Sequence, residues 1–264
     1  MEPTTGYASV NGLKMYYEIH GEGRPLVLLH GGAGVVDMFG DVIEILAAGR
    51  QVITPELQAH GHTADIERPL RYELMADDVA ALASHLRLTK VDLMGYSLGG
   101  GVTLRTAIQY PGLVKKLVLV STPCKRNGWY PEVLEAMGRG AENPEAMKQM
   151  PMYQTYSQVA PRVEDWPVLM KKLGEMLKIE YDWSEEVTKI RASTMIIVGD
   201  ADSVRPAHAV EFFELLGGGK KDAGWDGSGM TKARLAILPG VTHYNIFSSP
   251  LLAATAEKFL DAVA

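Results

Sequence analysis

The chain carries 264 residues, 47% of them hydrophobic and 22% charged, with 26 Lys and Arg against 32 Asp and Glu for a formal charge of -6. These are the proportions of a folded globular protein, which excludes disordered, collagen-like and fibrous classes; an acidic balance without a block of like charge offers no basic face to nucleic acid. The single cysteine, Cys124, permits no internal disulfide and argues against a structural zinc site.

Residues 1–25 lack the basic start and apolar stretch of a signal peptide, and no apolar run approaches the ~18 residues of a membrane span. A soluble, cytoplasmic protein with no membrane partner is expected. Short apolar runs bounded by Gly, Pro or Asp then alternate with helical patterns, which predicts βαβ units and a mostly parallel sheet in an α/β fold. The first strands fall at 13–19, in an amino-terminal hairpin, and at 25–29 and 51–54. Met75, Val79, Leu82 and Leu86 recur at helical spacing and form one stripe that packs on the sheet. Strands follow at 91–94 and 117–121.

From about Cys124 to Ile190 the strand signals vanish. Pro131 opens a short helix ending at Gly138, Asn143 with Pro144 opens a second, Pro161 begins a longer one, and Asp182 with Glu185 reads as a capping box. This all-helical insertion holds Trp129, Trp166, Trp183, Tyr153, Tyr156 and the methionines at 137, 147, 150, 152, 170 and 176. Such residues either form a small core joining the insertion to the main domain or line an apolar pocket beneath a cap. Beyond it come strands at 194–198 and 234–238. Between these two, a helix opens at Pro206 and stops at Gly217, and a glycine-rich surface loop containing Trp225 follows at 217–230. A last helix starts with Ser249 as N-cap and Pro250 at its first position.

The chemistry centres on Gly95-Tyr96-Ser97-Leu98-Gly99. As a bare pattern G-x-S-x-G arises in roughly one chain in ten at average residue usage, but here it lies directly between a strand and a helix, where a serine is held on a sharp turn. A serine hydroxyl is a weak nucleophile at neutral pH and needs a base, itself oriented by a third group. Of the seven histidines, His243 lies just past the last strand, at the carboxyl edge of the sheet. His20 belongs to the hairpin, His85 to a surface helix and His208 to the helix after Pro206, while His30, His60 and His62 follow earlier strands. The strand at 194–198 runs into Gly199-Asp200-Ala201-Asp202, so both aspartates are candidate orienting acids.

With these segments, and with His30-Gly31-Gly32 after the strand at 25–29, nearly the whole chain resembles the α/β-hydrolase superfamily. The likeness is to its capped bacterial esterases and their enol-lactonase, epoxide-hydrolase and perhydrolase relatives. The resemblance implies a hydrolase core at 1–123 and 191–264, a helical cap at 124–190, and catalysis by Ser97, Asp202 and His243, with Asp202 rather than Asp200 as the acid. It further implies an oxyanion hole from the backbone N–H groups of Gly32 and Leu98, with Ala33 replacing Gly32 if the loop shifts by one. Where such relatives carry Asp and Gly-His-Gly after the fourth strand, this chain has Glu56 and Ala59-His60-Gly61.

Serine at position 97 sets the chain apart from the haloalkane dehalogenases and epoxide hydrolases, whose nucleophile is aspartate. The expected function is a serine carboxylesterase that hydrolyses short- to medium-chain or aryl esters through an acyl-enzyme and needs no metal or cofactor. Lactone hydrolysis is the alternative, ahead of perhydrolysis and of a ligand receptor that keeps the three residues without rapid turnover. The partner is then a small-molecule ester or lactone, and the oligomeric state is open.

Overall fold

A computed structural model describes residues 2–262 of the chain. Its frame is an eight-stranded sheet in the order β1-β2-β4-β3-β5-β6-β7-β8. In chain order the first strands are β1 (Thr4–Val10), β2 (Leu13–His20) and β3 (Arg24–Leu29), followed by helix α1 (Asp41–Ala47), β4 (Arg50–Pro55), α2 (Tyr72–His85), β5 (Val91–Tyr96), α3 (Leu98–Gln109) and β6 (Val114–Val120). Then come α4 (Pro131–Glu142), α5 (Pro144–Met147), α6 (Pro151–Val159), α7 (Trp166–Leu177) and α8 (Ser184–Val187), and finally β7 (Ser193–Ala201), α9 (Pro206–Leu215), β8 (Ala233–Thr242) and α10 (Pro250–Asp261). β1 pairs with β2 and β2 with β4 in antiparallel fashion; every other pairing is parallel.

The continuous apolar runs of β3, β5, β6 and β7 follow from a sheet covered on both faces. Alternate residues serve opposite cores: Val27 and Leu29 of β3 and Leu117 and Leu119 of β6 join one, while Leu26, Leu28, Val118 and Val120 join the other. The first core is closed by α2, α3 and α9, with Met75, Val79 and Leu82 of the expected stripe buried in it. The second is closed by α1 and α10. Strand order reverses about β3, which lies between β4 and β5. The loops at the carboxyl ends of β3 and β5 therefore leave a crevice at the switch point, the place where such sheets bind ligands.

β1 is an additional strand that the sequence pattern did not reveal. Between β6 and β7 the chain adds helices only. There the expected boundaries shift: α4 continues through Gly138 and Gly140 to Glu142, and α6 starts at Pro151 where no helix was expected. Pro161 opens nothing; a single 3-10 turn intervenes and α7 begins at Trp166 with Pro167 in its first turn. At α8, Asp182 does accept the Ser184 N–H (2.9 Å), but Glu185 turns outward to Lys189 (2.7 Å) rather than closing a capping box. Asn143 and Ser249 cap α5 and α10 as read from sequence. Among the described residues no helix is long and apolar enough to cross a membrane.

Candidate active site

Ser97 occupies the single residue between β5 and α3, with φ 54° and ψ -116°. That conformation is costly for a residue with a Cβ and persists because both flanks are locked. A Cβ at Gly95 would lie 2.3 Å from the Gly99 carbonyl oxygen, and one at Gly99 would lie 2.4 and 2.5 Å from the carbonyl oxygens of His30 and Leu29. Glycine at both positions lets α3 press against β3 and tips Ser97 out of the sheet edge. The Ser97 N–H is held by Val120 O at the end of β6 (2.9 Å).

His243 is the first residue after β8, and its Nε2 lies 3.1 Å from Ser97 Oγ. Its Nδ1 lies 2.9 Å from Asp202 Oδ1. Asp202 also accepts from Val204 N (3.1 Å) on Oδ1 and from Gly199 N (3.0 Å) and the Ser121 hydroxyl on Oδ2. Burial alone would push this carboxyl up, yet the hydrogen bond and charge of His243, with Ser121 and Gly199, outweigh it and hold Asp202 below the usual carboxylate range. An ionised carboxylate only accepts, so Nδ1 carries the imidazole proton and Nε2 faces Ser97 as an acceptor.

The two candidate aspartates part here. The β7–β8 register shifts between Gly199 and Ala201, and Asp200 turns to accept from Gly240 N (2.9 Å) and Val241 N (3.3 Å). It pins the end of β8 instead of reaching His243. The Tyr96 hydroxyl anchors the same segment by donating to the His243 carbonyl (2.7 Å).

The other histidines lie elsewhere. His30 Nε2 accepts from Leu57 N (3.1 Å), tying the loop after β3 to the loop after β4, and its ring lies 5.0 Å from that of His60. Burial holds His30 below the ordinary imidazole value, and burial with the neighbouring His30 takes His60 down to about 3, so both are neutral scaffolding. His62 pairs with Glu56 (3.0 Å) and His20 with Glu18 (2.9 Å). His208 accepts from Cys124 N (3.2 Å).

Beside Ser97, a Cβ built on Gly32 would come within 3.9 Å of Leu98 Cβ, so the two loops touch. Among the described residues neither Gly32 nor Leu98 gives its backbone N–H to an acceptor. Leu98 opens a helix of 12 residues, whose amino end favours negative charge. Two residues of the segment between β6 and β7 lie against these groups. Leu173 of α7 lies 3.7 Å from the Gly32 Cβ position, and Trp129 meets the His243 ring edge-on at 5.4 Å. Backbone pairing of Tyr130 N with Ser203 O (3.2 Å) and of Arg205 N with Gly128 O (3.0 Å) brings Trp129 there. Lys172, next to Leu173, donates to both Asp65 oxygens (2.8 and 2.6 Å) and to the carbonyls of Ile66 (2.8 Å) and Arg68 (2.7 Å).

Ser121, Tyr96 and Leu173 are thus site neighbours that the sequence reading left out. Ser121 closes a strand next to the one that presents Ser97, but a serine there names no chemistry until its acceptor is placed; Leu173 carried no signal beyond helical periodicity. Among the described residues no three His, Cys, Asp or Glu side chains gather as a metal site.

A family model described as alpha/beta hydrolase fold matches residues 24–165. A putative esterase/lipase of Haemophilus influenzae is 35% identical over 95 residues, or 36% of this chain and 33% of that protein. The chain spans between about a third and a half of the length of the curated relatives it matches. In structure it is similar to the enol-lactonase from Burkholderia xenovorans LB400 (TM-score 0.75, 20% identity, 97% of this chain and 100% of the other). It is also similar to a thermophilic esterase from Thermogutta terrifontis (TM-score 0.72, 22% identity, 98% of each). At such identities the structural likeness is one of fold.

Proposed function

The chain belongs to the alpha/beta hydrolase fold family, and from that premise we propose that it is a serine carboxylesterase acting on short- to medium-chain or aryl esters. The observation that carries this reading is the unbroken chain Ser97 Oγ, His243 Nε2, His243 Nδ1, Asp202 Oδ1, with links of 3.1 and 2.9 Å, set beside two unengaged N–H groups.

Ser97 Oγ attacks the ester carbonyl while His243 Nε2 takes its proton. The imidazolium then gives that proton to the leaving alkoxide, and Asp202 holds the ring and balances its charge. The Gly32 and Leu98 N–H groups receive the oxyanion; each such donor is worth roughly 3 kcal/mol of barrier. Water activated by His243 releases the acid. The cycle requires no resident metal or cofactor. A serine nucleophile leaves no carboxylate to open an epoxide or displace a halide.

Residues 124–190 act as a cap, with Leu173 above the oxyanion side and Trp129 beside the base. Apolar groups so close to the reacting carbon favour compact acyl groups over long lipid chains. The proposed setting is cytoplasmic, with a small-molecule ester or lactone as partner and no role for nucleic acid or membrane.

The test is turnover of p-nitrophenyl esters of increasing chain length, and of simple lactones, by wild type and Ser97→Ala. Multiple turnover falling steeply beyond medium chains, and abolished by the substitution, is expected. A maximum on long-chain triglyceride emulsions contradicts the size argument, and faster lactone opening makes the protein a lactonase. Binding without turnover makes it a receptor.

A further inference from the structure

Four adjacent strands, β5 to β8, each deliver a polar residue to the same edge: Ser97, Ser121, Asp202 and His243. Three of these have roles in the proposed reaction. Ser121 has none there, yet it is wholly buried and sits at φ +50°, a left-handed conformation unfavourable to a residue with a Cβ.

Its surroundings explain what holds it. Ser121 N donates to Ile197 O (2.9 Å) and so extends the β6–β7 pairing by one residue past the strand end. The preceding carbonyl, that of Val120, receives the Ser97 N–H. One peptide link therefore separates the anchor of the nucleophile from the side chain that grips the acid. From this position the Ser121 hydroxyl donates to Asp202 Oδ2.

We infer that Ser121 is a positioning residue for the esterase proposed above, acting through Asp202, whose second oxygen it holds so that the first aims at His243. Gly199 N takes one lone pair of Oδ2 and Ser121 takes the other, while Oδ1 is shared by Val204 N and His243. A carboxylate gripped at four points cannot rotate. Without the hydroxyl, a buried anionic oxygen is left short of a donor, and the carboxylate turns to recover one at the expense of its bond to His243. The left-handed backbone is what turns the hydroxyl toward β7, so strain at this residue serves the geometry of the pair.

Backbone strain and hydroxyl can be separated by substitution. Ser121→Gly relieves the positive φ and removes the donor, Ser121→Ala keeps the strain and removes the donor, and Ser121→Thr keeps the donor and worsens the strain. The proposal requires rate to follow the hydroxyl and stability to follow the backbone. With a p-nitrophenyl ester, kcat should fall about ten-fold or more in the Gly and Ala variants at little-changed KM, and return largely in the Thr variant despite a lower melting temperature. A purely structural serine gives the reverse pattern, with Gly the most active variant and Thr the least.

A second readout works without turnover. A far-downfield proton resonance is expected for His243 Nδ1–H against Asp202 in spectra of the resting wild-type protein; it should move upfield or broaden away in the Gly and Ala variants and remain in the Thr variant. An unchanged resonance and a kcat within two-fold of wild type in Ser121→Gly overturn the inference. Failure of the esterase reading looks different: wild type turns over no ester, while the resonance still reports whether Ser121 sets the pair.

Discussion

Replacing Asp202 by asparagine keeps the shape of the side chain and exchanges one acceptor oxygen for a donor amide. All four contacts of this carboxylate come from donors, so the amide has no harmless orientation. With its nitrogen in the place of Oδ1 it faces Val204 N–H and His243. The imidazole must then shift its proton to Nε2, where it points at Ser97 and cannot receive a proton. With its nitrogen in the place of Oδ2 it faces Ser121, whose hydroxyl can turn to accept, and Gly199 N–H, which cannot. Either way one buried backbone N–H is orphaned, costing about 1–3 kcal/mol of stability, and the imidazolium of the transition state faces no negative charge. The expected loss in kcat is about ten-thousand-fold, the size found when a triad aspartate becomes asparagine in a serine protease. The assay pairs kcat and KM on p-nitrophenyl butyrate with urea unfolding. Asp200→Asn is the control, because its amide oxygen can still accept from Gly240 N and Val241 N; its stability should stay within about 0.5 kcal/mol of wild type. An Asp202→Asn enzyme within ten-fold of wild type, or an Asp200→Asn enzyme more crippled than it, would mean that Asp202 is not the acid that orients His243.

Other consequences follow from the same contacts. Gly99→Ala drives a Cβ to 2.4 Å from His30 O and 2.5 Å from Leu29 O; β3 backbone cannot yield cheaply, so overpacking of about 1–3 kcal/mol should exceed the gain of up to ~1 kcal/mol in helix propensity, and a raised urea midpoint would contradict this. Lys172→Met strips four hydrogen bonds from a pair whose side chains are only 15% and 14% exposed. Gln58 still donates to Asp65, Ile66 O and Arg68 O, so about 2 kcal/mol is expected rather than the full cost of a broken buried pair. Proteolysis should then begin in the helices between β6 and β7; unchanged unfolding and cleavage would show that the Lys172–Asp65 contact does not hold α7 in place. Mild acid should destabilise the fold through its two buried, neutral histidines. His60 is held down to about 3 and His30 is also lowered, whereas the unfolded chain protonates them near pH ~6.5. Between those values the unfolded state binds more protons, so stability falls with pH, by about 2 kcal/mol at pH ~5 for His60 alone. His62, raised by its hydrogen bond to Glu56, and Asp78 and Asp92, raised by burial, bind protons more readily in the fold and act in the opposite sense. A urea midpoint that holds or rises from pH ~7.5 to ~5 would show that these histidines are protonated in the fold.

The parallel half of the sheet was legible because strands buried on both faces carry unbroken apolar runs, such as residues 117–120 of β6 and 195–198 of β7. β1 was not, because Thr4–Val10 buries only Ala8 and Val10 and alternates polar residues at a sheet edge. Ser97 and His243 could be placed from strand ends alone. The choice between Asp200 and Asp202 could not, because it turns on a register shift between β7 and β8 that leaves no mark in composition; the resemblance favoured the aspartate that the geometry brings to His243. Pro161 misled because proline starts helices and also sits in the bends that precede them, and Pro167 serves α7 instead. Ser121 went unread since a serine at a strand end carries no chemical signal until its acceptor is known.

If His243 activates Ser97 as a nucleophile, covalent trapping will reveal it without knowledge of the natural substrate. Wild type, Ser97→Ala and His243→Ala would be incubated with a fluorophosphonate and examined by intact-protein and peptide mass spectrometry. One stoichiometric adduct is expected on the peptide containing Ser97, none in Ser97→Ala, and labelling slowed by orders of magnitude in His243→Ala. An unlabelled wild type, an adduct on another residue, or equal labelling of His243→Ala would contradict that activation.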